Sequence, residues 1–518
     1  MPNPQHRIAR AAGVVMAAFV LSNIAGLARQ ILIARAFGAS LELDAYYAAI
    51  RLPDILFTLV AGGALGSAFI PLFSGFLARD DRAGAWRLAS GVTTLVFLTL
   101  TIVGGLAAIL APLIVSRILA PGFSPAAQAL TVSLLRLMLA SSVIFGVSGL
   151  VMGIHNAHQH FLLPAIAPIL YNVGIMIGAL AAPVFGVRGL AYGVVFGALM
   201  HLVVQLPGLR GRGARYTPTL GLDNPAVRDV AKLMGPRVLG LAVVQLNFLI
   251  NIILASGMPE GSLSGLTVAF QILTLPEAVI AQAIAIAALP TFADQFARGQ
   301  LVELRAALAG TLRGILFLSV PSSIGLLILR KPIVVLLFQR GHFDERSTEL
   351  VAWALAFYAI GLVGHSVVEI VSRAFYALHN TRTPVAIGAA AMTLNVILSL
   401  LFSRLFAANG LSPHGGLALA NSIATALEMI GLLWLIARRL GGLEARAVTF
   451  SLARTLGGGA AMTIALLAWL NFVASRPAWL VGLGGTAIGG VIFWLVAALV
   501  GSEEARAIPK MAVARLRL

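Results

Sequence analysis

LARQILIARAFGASLELDAYYAAIRLPDILF, Leu27 to Phe57, is apolar enough to lie in a bilayer and still carries Arg29, Arg35, Asp44, Arg51 and Asp54. A helix needs roughly 20 residues to cross a hydrocarbon core. Two such runs meet at a short outward loop, Ala36 to Leu43. The stretch therefore reads as two membrane spans joined by an outward turn, with charges placed where lipid does not tolerate them. Arg35 and Asp44 flank the turn, where snorkelling to the interface accounts for them. Arg29, Arg51 and Asp54 lie deeper and ask for a cavity or a partner.

The rest of the chain agrees. Of 518 residues, 59% are hydrophobic and 11% charged, with a mean hydropathy of +0.96. A soluble domain carries about 25% charged residues, so this chain is an all-α integral membrane protein. It has no cysteine, which excludes disulfides, thiol chemistry and Cys-ligated metal. The net charge of +17 reads as the Lys/Arg excess of cytoplasmic loops rather than as a nucleic-acid footprint. The first apolar run, VVMAAFVL after Arg7 and Arg10, has no A-x-A cleavage pattern before its charged second half, so it reads as a span and not a signal peptide.

About 14 spans follow from apolar runs, near 12–36, 45–76, 88–119, 128–154, 161–183, 188–208, 229–256, 263–294, 303–329, 348–378, 384–407, 415–437, 447–474 and 478–501. With the N-terminus inside, Lys and Arg concentrate in the cytoplasmic segments (Arg79, Arg82, Arg87; Arg210, Arg212, Arg215; Arg438, Arg439; Lys510, Arg515). The opposite loops near 120–127 and 257–262 hold none. Both termini are therefore expected in the cytoplasm.

An internal repeat is visible. PLFSGFLAR at Pro71 and PTFADQFAR at Pro290 share P-x-F-x-x-x-x-A-R at an offset of 219 residues. His155-Asn156 echoes His379-Asn380 at an offset of 224. Six spans separate the copies, so the second enters the membrane in the same direction as the first. Parallel repeats of this kind mark transporters. The expected organisation is an N-lobe over 1–210 (spans 1–6), a basic cytoplasmic linker over 211–228, a C-lobe over 229–440 (spans 7–12), and spans 13–14 with a tail over 441–518.

The N-lobe spans carry Arg29, Arg35, Arg51, Asp54 and Arg136; the C-lobe spans carry Glu277, Glu369, Arg373 and Glu428. A planar guanidinium suits a phosphate, since it donates two parallel hydrogen bonds and stays charged when desolvated. The competing reading is internal pairing, of Arg51 with Asp54 or of Glu369 with Arg373 at i,i+4. Gln245, Asn247 and Asn251 in the seventh span fit either a coupling cation or, more commonly, interhelical hydrogen bonds. His155, His158 and His160 crowd one loop, but no carboxylate or cysteine joins them. No Walker A, H-E-x-x-H or G-x-S-x-G pattern occurs, so nothing points to an enzyme. No cofactor is expected, and an ion gradient, the membrane potential or the substrate gradient is left as the energy source.

SNIAGLARQILIARAFGASLELDAYYAAIRLPDILFTLVAGGALGSAFIPLFSGFLAR, APGF at 120–123, FLLPAIAPILYN at 161–172, QLPGL at 205–209, MGPRVLG at 234–240 and FQRGHFD at 338–344 together resemble the MurJ (MviN) family of lipid II flippases. The resemblance covers nearly the whole chain in order. It implies the multidrug/oligosaccharidyl-lipid/polysaccharide exporter fold, with two six-helix lobes around a cationic cavity and two extra C-terminal helices forming a groove for a lipid tail. It implies movement of the undecaprenyl-diphosphate-linked peptidoglycan precursor from the inner to the outer leaflet of the bacterial plasma membrane. The implied partners are a lipid-linked anionic sugar and the bilayer, with no nucleic acid and a monomer as the working expectation.

By the same resemblance the substrate-binding residues would be Arg29 in G-x-A-R, Asp44 in D-A-Y and Arg51 before Leu-Pro. Three further cavity positions hold arginine in the family; here they fall on Asn23, Phe57 and Gln271, and the family's A-E-G-A acid falls on Gly62. Asn23 and Gln271 retain neutral donors, and Arg136 is the candidate that compensates from another helix. The alternatives are an exporter of another polyprenyl-linked oligosaccharide or amphiphile, a diverged paralogue that no longer transports, and a membrane glycosyltransferase. The short loops offer the last of these no carboxylate pair.

Overall fold

A computed structural model describes residues 4–60, 64–473 and 476–506. Gly62, the Asn247 side chain, the side chains of Arg7 and Arg10, and the basic tail from Lys510 lie outside the described residues. Every regular element among those described is helical.

The chain forms two compact units. The first comprises Met1–Leu263 with Arg340–Phe343. It holds α1 (Pro4–Phe37), α2 (Leu41–Val60), α3 (Ala64–Ala78), α4 (Arg82–Ile109), α5 (Ala111–Ile114) running into a π-helical turn, α6 (Pro125–Ala157), α7 (Leu162–Leu180), α8 (Ala182–Phe185), α9 (Arg188–Val203) and α10 (Pro225–Ser256). The second comprises Ser264–Gln339 and Asp344–Leu518. Its helices are α11 (Ser262–Glu277), α12 (Ala283–Ala297), α13 (Leu301–Ile328), α14 (Arg330–Phe338), α15 (Glu345–Ala377), α16 (Arg382–Ala408), α17 (His414–Leu440), α18 (Ala445–Phe472) and α19 (Ala478–Leu499). Helix α10, the seventh expected span, packs on α2, α3 and α4 and belongs to the first unit.

Twelve segments among the described residues are long and apolar enough to cross a membrane. The other two expected spans fall on α2 with α3 and on α10. Proline shapes the eighth span: after Pro276 the helix opens into a π-turn over Ala278–Gln282 before α12 resumes. A proline removes one i→i−4 bond and crowds the carbonyl four residues back, and a wider turn relieves both. The short helix α14 was not anticipated; it occupies what read as an outward loop.

The repeat is written in the backbone. Helices α4 and α13 have 28 residues each and start 219 residues apart; α6 and α15 have 33 each and start 220 apart. The turns match as well. Asp81 N bonds Phe76 O after Asp80 at φ 56°, and Gln300 N bonds Gln295 O after Gly299 at φ 70°. His160 N bonds His155 O after Gln159 at φ 57°, and Asn380 N bonds Phe375 O after His379 at φ 55°. The last pair corrects the sequence echo. His155 corresponds to Phe375, four residues before His379, so the shared His-Asn dipeptide is a coincidence of letters beside a true structural repeat.

Lipid tails are as apolar as leucine, so helix contacts at bilayer depth depend on close approach and hydrogen bonds rather than on burial from water. Helices α7 and α9 meet on glycines. A Cβ on Gly174 would stand 2.3 Å from Gly197 Cα, and one on Gly178 would stand 2.3 Å from the Gly189 carbonyl. A core of Phe69, Phe73, Trp86, Leu88, Leu150 and Ile154 ties α3, α4 and α6 to Val227 and Val230 of α10. In the second unit Leu304, Leu308, Leu312, Ile370, Phe375 and Leu432 form the matching core. Helices α18 and α19 join through Phe317, Met462, Leu466 and Phe493.

Candidate functional site

The deep charges of the opening stretch collect in the first unit. Arg29 of α1 is half-buried, and its Nε is enclosed without a hydrogen-bond partner. Tyr46, Tyr47 and Asp54 of α2 and Tyr171 of α7 all lie within electrostatic range of it. Gln30 donates to the Tyr47 hydroxyl and so binds α1 to α2. Arg51, one helical turn before Asp54, donates through Nη2 to Gln245 Oε1 on α10. Two guanidiniums, one carboxyl and three phenols thus share a polar cluster fed by α1, α2, α7 and α10. The phenols were not picked out with the charges, whereas Gln245, read in the seventh span as an interhelical hydrogen-bonder, is one. Tyr46-Tyr47 was in plain view, but aromatics at helical spacing usually read as core.

Of the other residues proposed from the sequence, Asp44 lies within electrostatic range of Tyr47, and the rest lie elsewhere. Asp44 is buried at the start of α2, and its Oδ2 accepts the Gly261 amide at 2.8 Å. With Glu260 accepting from the Leu41 amide at 2.9 Å, it holds the α1–α2 turn to the loop before α11. Arg136 is exposed on α6 and donates to the Ala108 carbonyl at 2.9 Å, near the C-terminal end of α4. A cation there meets the negative end of a helix dipole; it does not join Arg29, and its expected compensating place in the cluster is corrected. Asn23 is exposed and donates to its own helix at Phe19 O. Phe57 packs its ring 4.6 Å from Phe145, which in turn meets Tyr171 and His201 edge-on. An aromatic cluster thus occupies the position where the resemblance led to an arginine. Gln271 lies on α11 in the second unit.

The second unit has its own polar group. Glu369 and Arg373 form the i,i+4 pair read from their spacing, at 2.7 Å. His365 bonds Asn421 at 3.1 Å, and Glu277 lies within electrostatic range of His365 and Glu369. Glu428 of α17 lies against Gly388 of α16.

The crowded histidines serve as structure. His155 is fully buried, with Nε2 donating to Gln205 O and Nδ1 accepting from Arg212, both at 2.8 Å. His158 bonds its own helix at Ile154 O. Among the described residues no group of three or more His, Asp and Glu side chains is arranged to hold a metal ion.

Several motifs that carried the resemblance are points of backbone contact. A Cβ on Gly122 of APGF would stand 2.5 Å from Gly257 Cα, and one on Gly208 of QLPGL 2.5 Å from the His155 ring. Gly341 of FQRGHFD, at φ 66°, presses on the Arg35 carbonyl, which accepts the His342 amide.

Comparison with known proteins agrees with this architecture. Residues 33–484 match the family described as Lipid II flippase MurJ. The chain is 31% identical over 469 residues to the lipid II flippase MurJ of Burkholderia cenocepacia, covering 88% of each. It is 28% identical over 506 residues to the probable lipid II flippase MurJ of Vibrio cholerae, covering 94% of each. Among solved structures, a lipid II flippase MurJ in an inward closed conformation superposes with a TM-score of 0.80 at 24% identity, over 94% of this chain and 98% of that one. An inward-facing multidrug MATE transporter superposes with a TM-score of 0.66 at 18% identity, over 82% and 96%.

Proposed function

The chain belongs to the MurJ family of lipid II flippases, and from that premise we propose that it moves the undecaprenyl-diphosphate-linked disaccharide-peptide from the inner to the outer leaflet by alternating access. The observation that carries the residue-level reading is Arg29. Its guanidinium lies in a polar cluster at bilayer depth with its Nε unpartnered. A diphosphate is a strong acceptor for such a fork. Arg51 would be the second contact, sharing its donors with Gln245.

Asn23 and Phe57 supply no replacement charge. Recognition of the diphosphate in this unit then falls on Arg29 and Arg51, with the phenols as neutral donors. The protein would lie in the bacterial plasma membrane with both termini in the cytoplasm, driven by an ion gradient, the membrane potential or the substrate gradient. A second reading, export of a different polyprenyl-linked glycan, is favoured by one feature: the aromatic packing of Phe57 changes what that wall of the cluster offers to a head group.

The test is conditional depletion of an essential lipid II flippase in a host, rescued by this gene, with outer-leaflet lipid II as the readout. Restored lipid II exposure supports the first reading. Absence of rescue at normal expression and insertion overturns it in favour of the second.

A further inference from the structure

The linker between α9 and α10 is clamped to α4 by evenly spaced rungs. Trp86 Nε1 donates to Arg212 O at 3.1 Å. Ser90 Oγ donates to Arg215 O at 3.3 Å and faces the Thr217 amide at 3.2 Å. Thr94 Oγ1 meets the Tyr216 hydroxyl at 3.0 Å. Positions 86, 90 and 94 lie on one helix face, so the linker runs along α4, away from its N-terminal end. At the near end it closes a cavity of about 330 Å³ with α4, lined by Arg82, Ala83, Trp86, Arg87, Gly213, Arg215 and Thr217.

Three arginines, all exposed, are among the lining residues of this cavity, and no acid is. Arg82 is loosely paired with exposed Asp80 at 3.6 Å. Asp81 is committed to the Gly84 amide. The side chains of Arg87 and Arg215 have no hydrogen bond or ion pair among the described residues. The uncharged rungs fix the backbone of Arg215 beside α4, so these cations share one pocket and are available to an anion.

The surroundings say what carries it. Large apolar side chains become exposed on α4 from Phe97 onward, within one turn of Thr94, continuing with Leu98, Ile102, Val103 and Leu106. The linker adds exposed Tyr216, Leu220 and Leu222 beside Arg215. An aromatic and aliphatic fringe next to arginines is the pattern of the headgroup level. We propose that the Arg82–Arg87–Arg215 cavity binds the phosphate of an acidic glycerophospholipid of the cytoplasmic leaflet. The acyl chains then run past Tyr216 and Leu220 toward the exposed face of α4. This site lies apart from the Arg29 cluster and does not depend on the flippase reading.

The test uses the full-length protein in neutral detergent, titrated separately with phosphatidylglycerol, phosphatidylcholine of the same chains, and sodium phosphate at matched ionic strength. The readout is the thermal unfolding midpoint. Phosphatidylglycerol is expected to raise it, and the other two are not. Each Arg→Gln substitution in Arg87→Gln/Arg215→Gln is expected to weaken the apparent affinity roughly fivefold, with the lipid-free midpoint unchanged. Arg446→Gln/Arg454→Gln, in an arginine-lined cavity of the second unit, is expected to leave the response intact. Should the first double variant fold poorly, Arg82→Gln reads the same loss. An equal response to phosphatidylcholine, full reproduction by phosphate alone, or wild-type lipid affinity in the substituted proteins would each overturn the proposal.

Discussion

Gln245 accepts a hydrogen bond from the Arg51 guanidinium across 194 residues of sequence. The contact fixes where a half-buried charge points and ties α10 to α2. Gln245→Leu removes the acceptor of this contact, at a cost of about 1–3 kcal/mol. Gln245→Glu keeps an acceptor and turns the contact into an ion pair. The expected result is a lowered unfolding midpoint for the leucine variant and a retained one for the glutamate variant. Transport is expected to fall in the glutamate variant too, because the cation offered to an anionic head group is neutralised. Thermal unfolding beside a lipid II exposure assay separates the two effects.

Arg29 makes the complementary case. A charge-assisted hydrogen bond is worth about 1.5–3 kcal/mol, so Arg29→Ala should reduce transport roughly 10- to 100-fold. Arg29→Lys keeps the charge but loses the planar fork and should recover only part of it. Equal transport by all three proteins in a reconstituted assay would remove Arg29 from the site.

The α7–α9 contact predicts a stability effect with little ambiguity. A Cβ on Gly178 meets the Gly189 carbonyl at 2.3 Å and Gly193 Cα at 2.9 Å, both rigid backbone. Gly178→Leu should therefore destabilise by about 1–3 kcal/mol or more. Gly105→Ala in α4 meets nothing within 4 Å and removes a flexible residue from a helix interior, so it should be neutral or stabilising. Detergent unfolding midpoints of the two variants against the parent check the contrast.

Twelve of the about 14 expected spans were legible as long apolar helices because bilayer thickness imposes length and composition on each of them. The Glu369–Arg373 pair was legible because its cause is local in sequence. What escaped was set by contacts at long sequence separation or by backbone geometry. Arg136 read as a spare cavity charge, and nothing near it in sequence reveals the Ala108 carbonyl that takes it. The hydrogen bond that Asp44 accepts from the Gly261 amide joins residues 217 apart, and nothing local reveals it. The His-Asn echo misled because the repeat is conserved there as a left-handed turn, at Gln159 and His379, which different side chains adopt. Tyr46, Tyr47 and Tyr171 were passed over because phenols serve equally in cores and in polar clusters.

Asp344 offers a test in pH. It caps α15, its Oδ1 accepting the Ser347 amide at 2.8 Å and the Ser347 hydroxyl at 2.7 Å. The backbone amide of Ser347, then its hydroxyl, hold the Asp344 carboxyl below the ordinary aspartate range. A carboxyl with a depressed folded-state pKa binds its proton less readily when folded than when unfolded. Its contribution is therefore complete above the ordinary aspartate pKa of about 4 and is lost as pH falls through the lower folded value. Asp344→Ala should cost about 1 kcal/mol near neutral pH, whereas Asp344→Ser, which retains a capping oxygen, should cost less. The gap in unfolding midpoint between parent and alanine variant should stay constant from pH 8 down to about 5 and narrow below about 4. The gap between parent and serine variant should narrow over the same range and then reverse, since a hydroxyl cap does not protonate. A gap to alanine that is unchanged at the acid end would show that Asp344 stabilises α15 by packing rather than by its charge.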